Sequence, residues 1–404
     1  MGREDPAARA HRYLETLCGV KPNRRTGSAG NRAATDFFAD AIRAFGYEID
    51  ATPFPCLDYV RGESLLVHGP QAFHVEISPY STGCDVLTEM VVASTVDELE
   101  AIDCEGNILL MKGALCAEQL MPKGFVFYNP EHHQRIVALL EAKKPAGIVT
   151  STRKNPEQVG ALYPFPLIAD GDFQIPSVYC GDEVGEVLAG LHGEVLHLKI
   201  AAQRLSSSAA NVIARSGRET SKKMVLTAHI DAYEESPGAS DNASGTAVLL
   251  LLAEMLAGYA GPFGIEFAAL NGEDHYSAAG QMDYLKRYGS ELDCAKLAIN
   301  IDDVGCKGSR TAYSFYDCPP ELEHSLEGKL LSVGGLVRGE PWFNGDHMVF
   351  VQNGVPSLAF TSENSSELMK TVTHTSLDAP ELIDPRRLVE LAWALNSLIR
   401  SLQI

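Results

Sequence analysis

The apolar run KKMVLTA ends in His229, Ile230 and Asp231, so an imidazole and a carboxylate stand two residues apart at the tip of a strand and share one side of it. Asp241 follows in GASDNASG, where a helix N-cap is its plain alternative use. A second apolar run, GIEFAALN, ends in Gly272, Glu273 and Asp274, and a third, AKLAINI, in Asp302 and Asp303. His374 comes much later, in VTHTSLDAP. Any one of these is ordinary in a folded protein. Together they give the order His, Asp, Glu-Asp, Asp, His, mostly at strand ends.

Mixed imidazole and carboxylate donors suit zinc and related divalent ions. Two such ions about 3.5 to 4 Å apart need several protein ligands with one carboxylate shared between them. His229, Asp241, Asp274, Asp302 and His374 supply a set of that kind. Asp302 is preferred to Asp303 because adjacent strand residues face opposite sides. A carboxylate that is not a ligand must then take a proton from water, and Glu273 stands next to a ligand. His275 is a weaker alternative ligand, and His132 and His133 read as solvent-facing.

The elements that must position these groups follow from periodicity. An amphipathic stretch through Leu17, a polar loop from Lys21 to Asn31 and a helical pattern from Ala33 to Phe45 open the chain, with Gly46 where a helix should stop. Glu48 to Phe54 reads as a strand. From Ala209 strands alternate with helices: Asn211–Arg215, Lys223–Ala228, helix Ala243–Leu256, Gly264–Leu270, helix Ser277–Tyr288 and Lys296–Ile301. This predicts an α/β fold, a mixed, mostly parallel sheet flanked by helices, with ligands bound beyond the strand carboxyl ends. Between residues 57 and 205 the texture changes to short β-like runs with helices at Gln134–Glu141 and Val184–Leu191. We expect a smaller β-rich domain there, inserted into a domain made of residues 1–56 and 206–404.

Composition narrows the function. Acidic residues number 53 against 33 basic, a net charge of −20 with no basic tract, which excludes a nucleic-acid partner. Nine scattered cysteines without a Cys-x-x-Cys pair point to a reducing, cytoplasmic location rather than a disulfide framework. The charged start MGREDPAARAHRYLETL does not resemble a secretory signal. The longest apolar run, Ala247–Ala253, is far shorter than the roughly 20 residues that span a bilayer, so no membrane partner is expected. A homo-oligomer is compatible with all of this.

HIDAYEESPGASDNASG, NGED, NIDDVG and HTSLD, in this order, resemble the signature of the co-catalytic zinc aminopeptidase and glutamate carboxypeptidase family, clan MH. RTGSAGN resembles its N-terminal segment, and GDHMVFVQNGVPSL its Asp-His loop. The inserted segment is similar to a protease-associated domain in EGNILLMKGAL, KPAGIVTST and QIPSVYCGDEVGEVL.

The resemblance implies two zinc ions, with cobalt or manganese as substitutes, and a peptide or small amide substrate. His229, Asp274, Asp302 and His374 would be terminal ligands, Asp241 the bridge, Glu273 the base and Asp231 the group that orients His229. Asp346 and His347 would approach the substrate. The implied reaction is hydrolysis of an N-terminal peptide bond. Its rivals are a carboxypeptidase or amidase, for which Arg338 is the available cation, a glutaminyl cyclase, which needs fewer ligands, and a receptor-like relative without catalysis. The chain departs from the family in carrying Glu-Asp at 273–274 where Glu-Glu is usual.

Overall fold

The computed structural model describes residues 5–156, 160–216 and 221–402. It divides into two units. Unit 1 comprises Met1–Cys56, Ser208–Leu368 and Val372–Ile404, and unit 2 comprises Leu57–Ser207 with Met369–Thr371.

The chain opens with α1 (Pro6–Cys18) and α2 (Ala29–Ala44). Pro6 sits in the first turn of α1, where no amide hydrogen is missed. Ser28 caps α2, its hydroxyl accepting the Asn31 N–H at 3.0 Å. Gly46 follows the end of α2 with φ +92°, a left-handed turn that glycine adopts freely. The expected strand at 48–54 is two: β1 (Glu48–Asp50) and the much longer β2 (Pro53–His68).

Unit 2 holds an eight-stranded sheet in the order β3-β2-β9-β5-β6-β7-β8-β4. Its further strands are β3 (Gln71–Phe73), β4 (Glu76–Ile77), β5 (Cys84–Ala93), β6 (Ile108–Met111), β7 (Gly147–Thr152), β8 (Ser177–Gly181) and β9 (Val195–Ala210). Helices α3 (Val96–Ala101), α4 (Glu131–Lys143) and α5 (Asp182–Ala189) join them. Sequence reading missed α3, although its start carries a signal: Thr95 accepts the Glu98 N–H while Glu98 accepts the Ser94 N–H, much like a capping box. The reading of His133 as solvent-facing is corrected here. It lies buried on the inner face of α4, its Nδ1 accepting the Met121 N–H at 3.1 Å.

Unit 1 is built on a second eight-stranded sheet, β1-β10-β12-β11-β13-β16-β14-β15. Its strands are β10 (Val212–Arg215), β11 (Lys223–His229), β12 (Gly264–Leu270), β13 (Ala295–Ile301), β14 (Thr311–Tyr316), β15 (Leu336–Arg338) and β16 (Ser357–Ser362). β12, β11, β13 and β16 run parallel, while β10 and β14 pair antiparallel to this core. Every residue of β11 is buried, as befits a central strand covered on both faces. The helices are α6 (Gly245–Leu256), α7 (Ala279–Tyr288), α8 (Pro320–Leu330), α9 (His347–Val351), α10 (Ser365–Thr371) and α11 (Pro385–Ser401). α6 is apolar all round, with Ala247 to Ala253 fully buried among α1, α2, α11 and the sheet. That burial fixes the helix whose first turn follows Asp241. Gly245 is required there, since a Cβ would stand 2.2 Å from the Ile301 carbonyl oxygen.

Candidate metal centre

The parallel strands deliver their side chains to one end of the sheet. His229 ends β11; Glu273 and Asp274 follow β12 on one side of it, and Asp302 follows β13 on the other. Asn271 sets the turn after β12. Its backbone N–H donates to Asn211 Oδ1 (2.9 Å), its side chain donates to the Ala210 carbonyl (2.6 Å), and Asn31 donates to its Oδ1 (2.5 Å). Gly272 then takes φ +109°, which turns Glu273 and Asp274 back over the strand tip.

The loop from Ile230 to Asp241 is held from below. Arg24 is buried and its guanidinium donates to the carbonyls of Ile230 (2.7 Å), Leu17 (3.1 Å), Pro237 (2.8 Å) and Gly238 (2.6 Å). Asp378, also buried, accepts the backbone N–H of Ser240 (2.7 Å) and of Asp241 (3.1 Å). Asn242 donates to the Ile301 carbonyl at 2.8 Å and so ties the turn to β13. Neither Arg24 nor Asp378 had a role assigned from sequence, though both lie inside or beside quoted motifs. Their partners are backbone atoms distant in the chain, which no spacing reveals.

The result is two lobes that share Asp241. Its Oδ1 lies 3.2 Å from His229 Nε2, which is also 3.2 Å from Asp302 Oδ1. Its Oδ2 lies 3.3 Å from His374 Nε2, which is 3.1 Å from Asp274 Oδ1. Ligand atoms around a tetrahedral zinc with bonds of about 2.0 Å are separated by about 3.3 Å, so each histidine-carboxylate spacing fits one edge of such a tetrahedron. His374 reaches its place at φ +65°, in a conformation that costs a non-glycine residue about 1–3 kcal/mol, and its ring stacks on Tyr233 at 4.7 Å.

Asp302, not Asp303, enters the cluster. Asp303 turns away at φ +52° and accepts the Ser240 hydroxyl at 2.8 Å. Asp231 stands behind His229, its Oδ1 3.7 Å from Nδ1. His275 meets Ser277 at 3.1 Å and stays outside both lobes. Asp346 and His347 are buried: Asp346 accepts the Gln281 amide at 2.7 Å, and His347 Nε2 donates to the Trp342 carbonyl at 3.0 Å. Arg338 spends its charge on Glu323 (2.7 Å) and Glu327 (2.8 Å).

Electrostatics mark the cluster as short of positive charge. Burial, reinforced by neighbouring carboxylates, pushes the pKa of Glu273 and Asp303 well up and raises that of Asp274. Burial takes Asp346 to about 7 and Asp378 to about 6. Burial also acts against charge on His229 and His374, but facing carboxylates outweigh it and raise both well above the ordinary value. Asp241 is held low for the same reason, against its burial, by hydrogen bonds from those two histidines. Asp274 Oδ2, His229 Nδ1 and Asp231 Oδ1 are buried without a hydrogen-bond partner. The donor set and the orphaned atoms both fit divalent metal.

Residues 211–399, which carry all six residues expected at this centre, match the model of peptidase family M28. Over that segment the chain is similar to the M28 peptidases.

Among the chain's relatives is the probable lipoprotein aminopeptidase LpqL of Mycobacterium tuberculosis, 23% identical over 90% of this chain and 74% of LpqL. Aminopeptidase YwaD of Bacillus subtilis is 26% identical over 55% of this chain and 50% of its own length. The fold of the chain is similar to that of the aminopeptidase from Aneurinibacillus sp. strain AM-1, with a TM-score of 0.75, 20% identity and coverage of 98% of this chain and 93% of the other. No helix of its described residues is long and apolar enough to cross a membrane.

Proposed function

We propose that this chain is a zinc aminopeptidase that removes N-terminal residues from peptides, with His229, Asp302 and one oxygen of Asp241 holding one ion, and His374, Asp274 and the other oxygen of Asp241 holding a second. The observation that carries the reading is the sharing of Asp241, whose two oxygens face different histidines at 3.2 and 3.3 Å. The names of LpqL, YwaD and the Aneurinibacillus enzyme support an aminopeptidase, and a solved relative is titled a zinc aminopeptidase.

Bound there, zinc supplies Lewis acidity, polarising the scissile carbonyl and making a water molecule acidic. Glu273 accepts the proton of the attacking water and returns it to the leaving amine nitrogen. Asp231 orients His229 through Nδ1. The excess of buried carboxylate around the lobes favours a substrate with a free α-ammonium group. A carboxypeptidase needs a free cation to hold the terminal carboxylate, and Arg338 is occupied by Glu323 and Glu327.

We read unit 2 as the protease-associated-like insertion, and a cytoplasmic location is supported by the nine cysteines of the chain, all of them free thiols. The deciding experiment compares aminoacyl amides with their N-acetylated forms in the presence of zinc, cobalt or manganese. Cleavage confined to free-amine substrates is expected; cleavage of blocked substrates alone would overturn the aminopeptidase reading.

A further inference from the structure

We propose that Thr26 is a positioning residue for the lobe of His229, acting through Asp231; the inference rests on the metal reading above. Asp231 is fully buried and its two oxygens have different neighbours. Oδ2 accepts the Thr26 hydroxyl at 2.8 Å and the Asp274 backbone N–H at 3.2 Å. Oδ1 has no hydrogen-bond partner and faces His229 Nδ1, itself unpartnered, at 3.7 Å.

A histidine that coordinates through Nε2 must carry its proton on Nδ1, and a carboxylate placed at Nδ1 selects that tautomer and fixes the ring plane. Thr26 anchors the far oxygen of that carboxylate and so decides where the near one points. Among the described residues its hydroxyl is the side-chain group, apart from His229, that engages Asp231. Thr26 is itself 1% exposed and follows Arg24 and Arg25, whose side chains are fastened to the 230–238 loop at Ile230, Gly238 and Glu234. The N-terminal segment RTG thus reaches from the α1–α2 connection to the back of one lobe. The other lobe is built differently: His374 is steadied by the face of Tyr233. The effect of Thr26 falls on one ion.

The test is a calorimetric zinc titration of the full chain after chelation, on the wild type, Thr26→Val, Thr26→Ser and His229→Ala, with the melting temperature of each metal-free protein. The wild type is expected to show two binding events, one of which His229→Ala removes. Thr26→Val should weaken that same event about 10-fold or more, leave the second unchanged, and be rescued by Thr26→Ser. Should the valine variant prove insoluble, Thr26→Ala makes the same deletion. A wild type with two events matched by Thr26→Val overturns this inference alone, as does equal weakening of both events without rescue by serine. A wild type that takes up no metal overturns the zinc reading and this inference with it.

Discussion

Asp274 holds its place at 3.1 Å from His374 with a side chain one methylene shorter than the glutamate usual at this position, so the turn after Gly272 must bring the backbone closer than a longer arm would require. Its own N–H donates to Asp231 at 3.2 Å, which links the backbone of one lobe to the support of the other. Asp274→Glu should therefore shift metal preference without emptying the lobe, read as altered relative activity with zinc, cobalt and manganese; an unchanged order would show that arm length does not matter. Glu273→Gln should keep full metal content and lower kcat by about 10²–10⁴-fold, because it deletes proton transfer and leaves every ligand in place. A variant with undiminished turnover would remove Glu273 from the chemistry. At this scale the sequence displayed the residues whose side chains meet one another, since His229, Asp241, Asp302 and His374 are informative through their types alone. It hid Thr26 and Asp378. The first works through another carboxylate and the second through backbone N–H groups at 240 and 241, relations that exist only after folding.

The elements of unit 1 were legible because central parallel strands are continuous apolar runs and the helices between them keep their period. The boundaries moved where packing overrode local pattern. The helix expected from Ser277 begins at Ala279, after Ala278 takes a left-handed φ of +47°, and Gly280 then lies against the strand tip: a Cβ on it would stand 1.7 Å from the Asn271 carbonyl oxygen and 2.5 Å from Asn211 Oδ1. Gly280→Ala is thus expected to push Asn271 off its contacts, costing about 1–3 kcal/mol in denaturant unfolding and displacing Glu273 enough to lower turnover. Wild-type stability together with wild-type kcat would refute the close approach. Unit 2 was read less completely. Its helix α3 is only 6 residues long, too short for a helical period to show, and its β2 runs 16 residues where only short β-like runs were expected.

For the whole molecule, the proposed ligands come from five separate stretches of chain, so metal should bind the folded form far better than the unfolded one. Chelation is expected to lower the melting temperature, by an amount set by about 2.7 kcal/mol when the free ion stands at 100 times its dissociation constant. An identical melting temperature with and without chelator would contradict the centre. Acid should weaken unit 2 by a different route. Burial holds the pKa of His133 below its ordinary value of 6.5, so the stability it contributes is present above that value and is lost as pH falls from there toward the folded-state pKa. Denaturant midpoints between pH 7.5 and 5.5 should fall for the wild type and fall less for His133→Gln. The Met121 N–H on Nδ1 leaves the proton of neutral His133 on Nε2, toward Glu118 at 3.2 Å.

The brace that Asp378 lends to the Ser240 and Asp241 amides also orders events in time. A ribosome delivers Thr26 first, then His229 and Asp241, then Asp274 and Asp302, with His374 and Asp378 emerging only after all of these. Until that last segment arrives, Asp241 has one histidine instead of two and its backbone amides are without their acceptor. A chain halted before His374 is therefore expected to keep only the His229 half of the cluster.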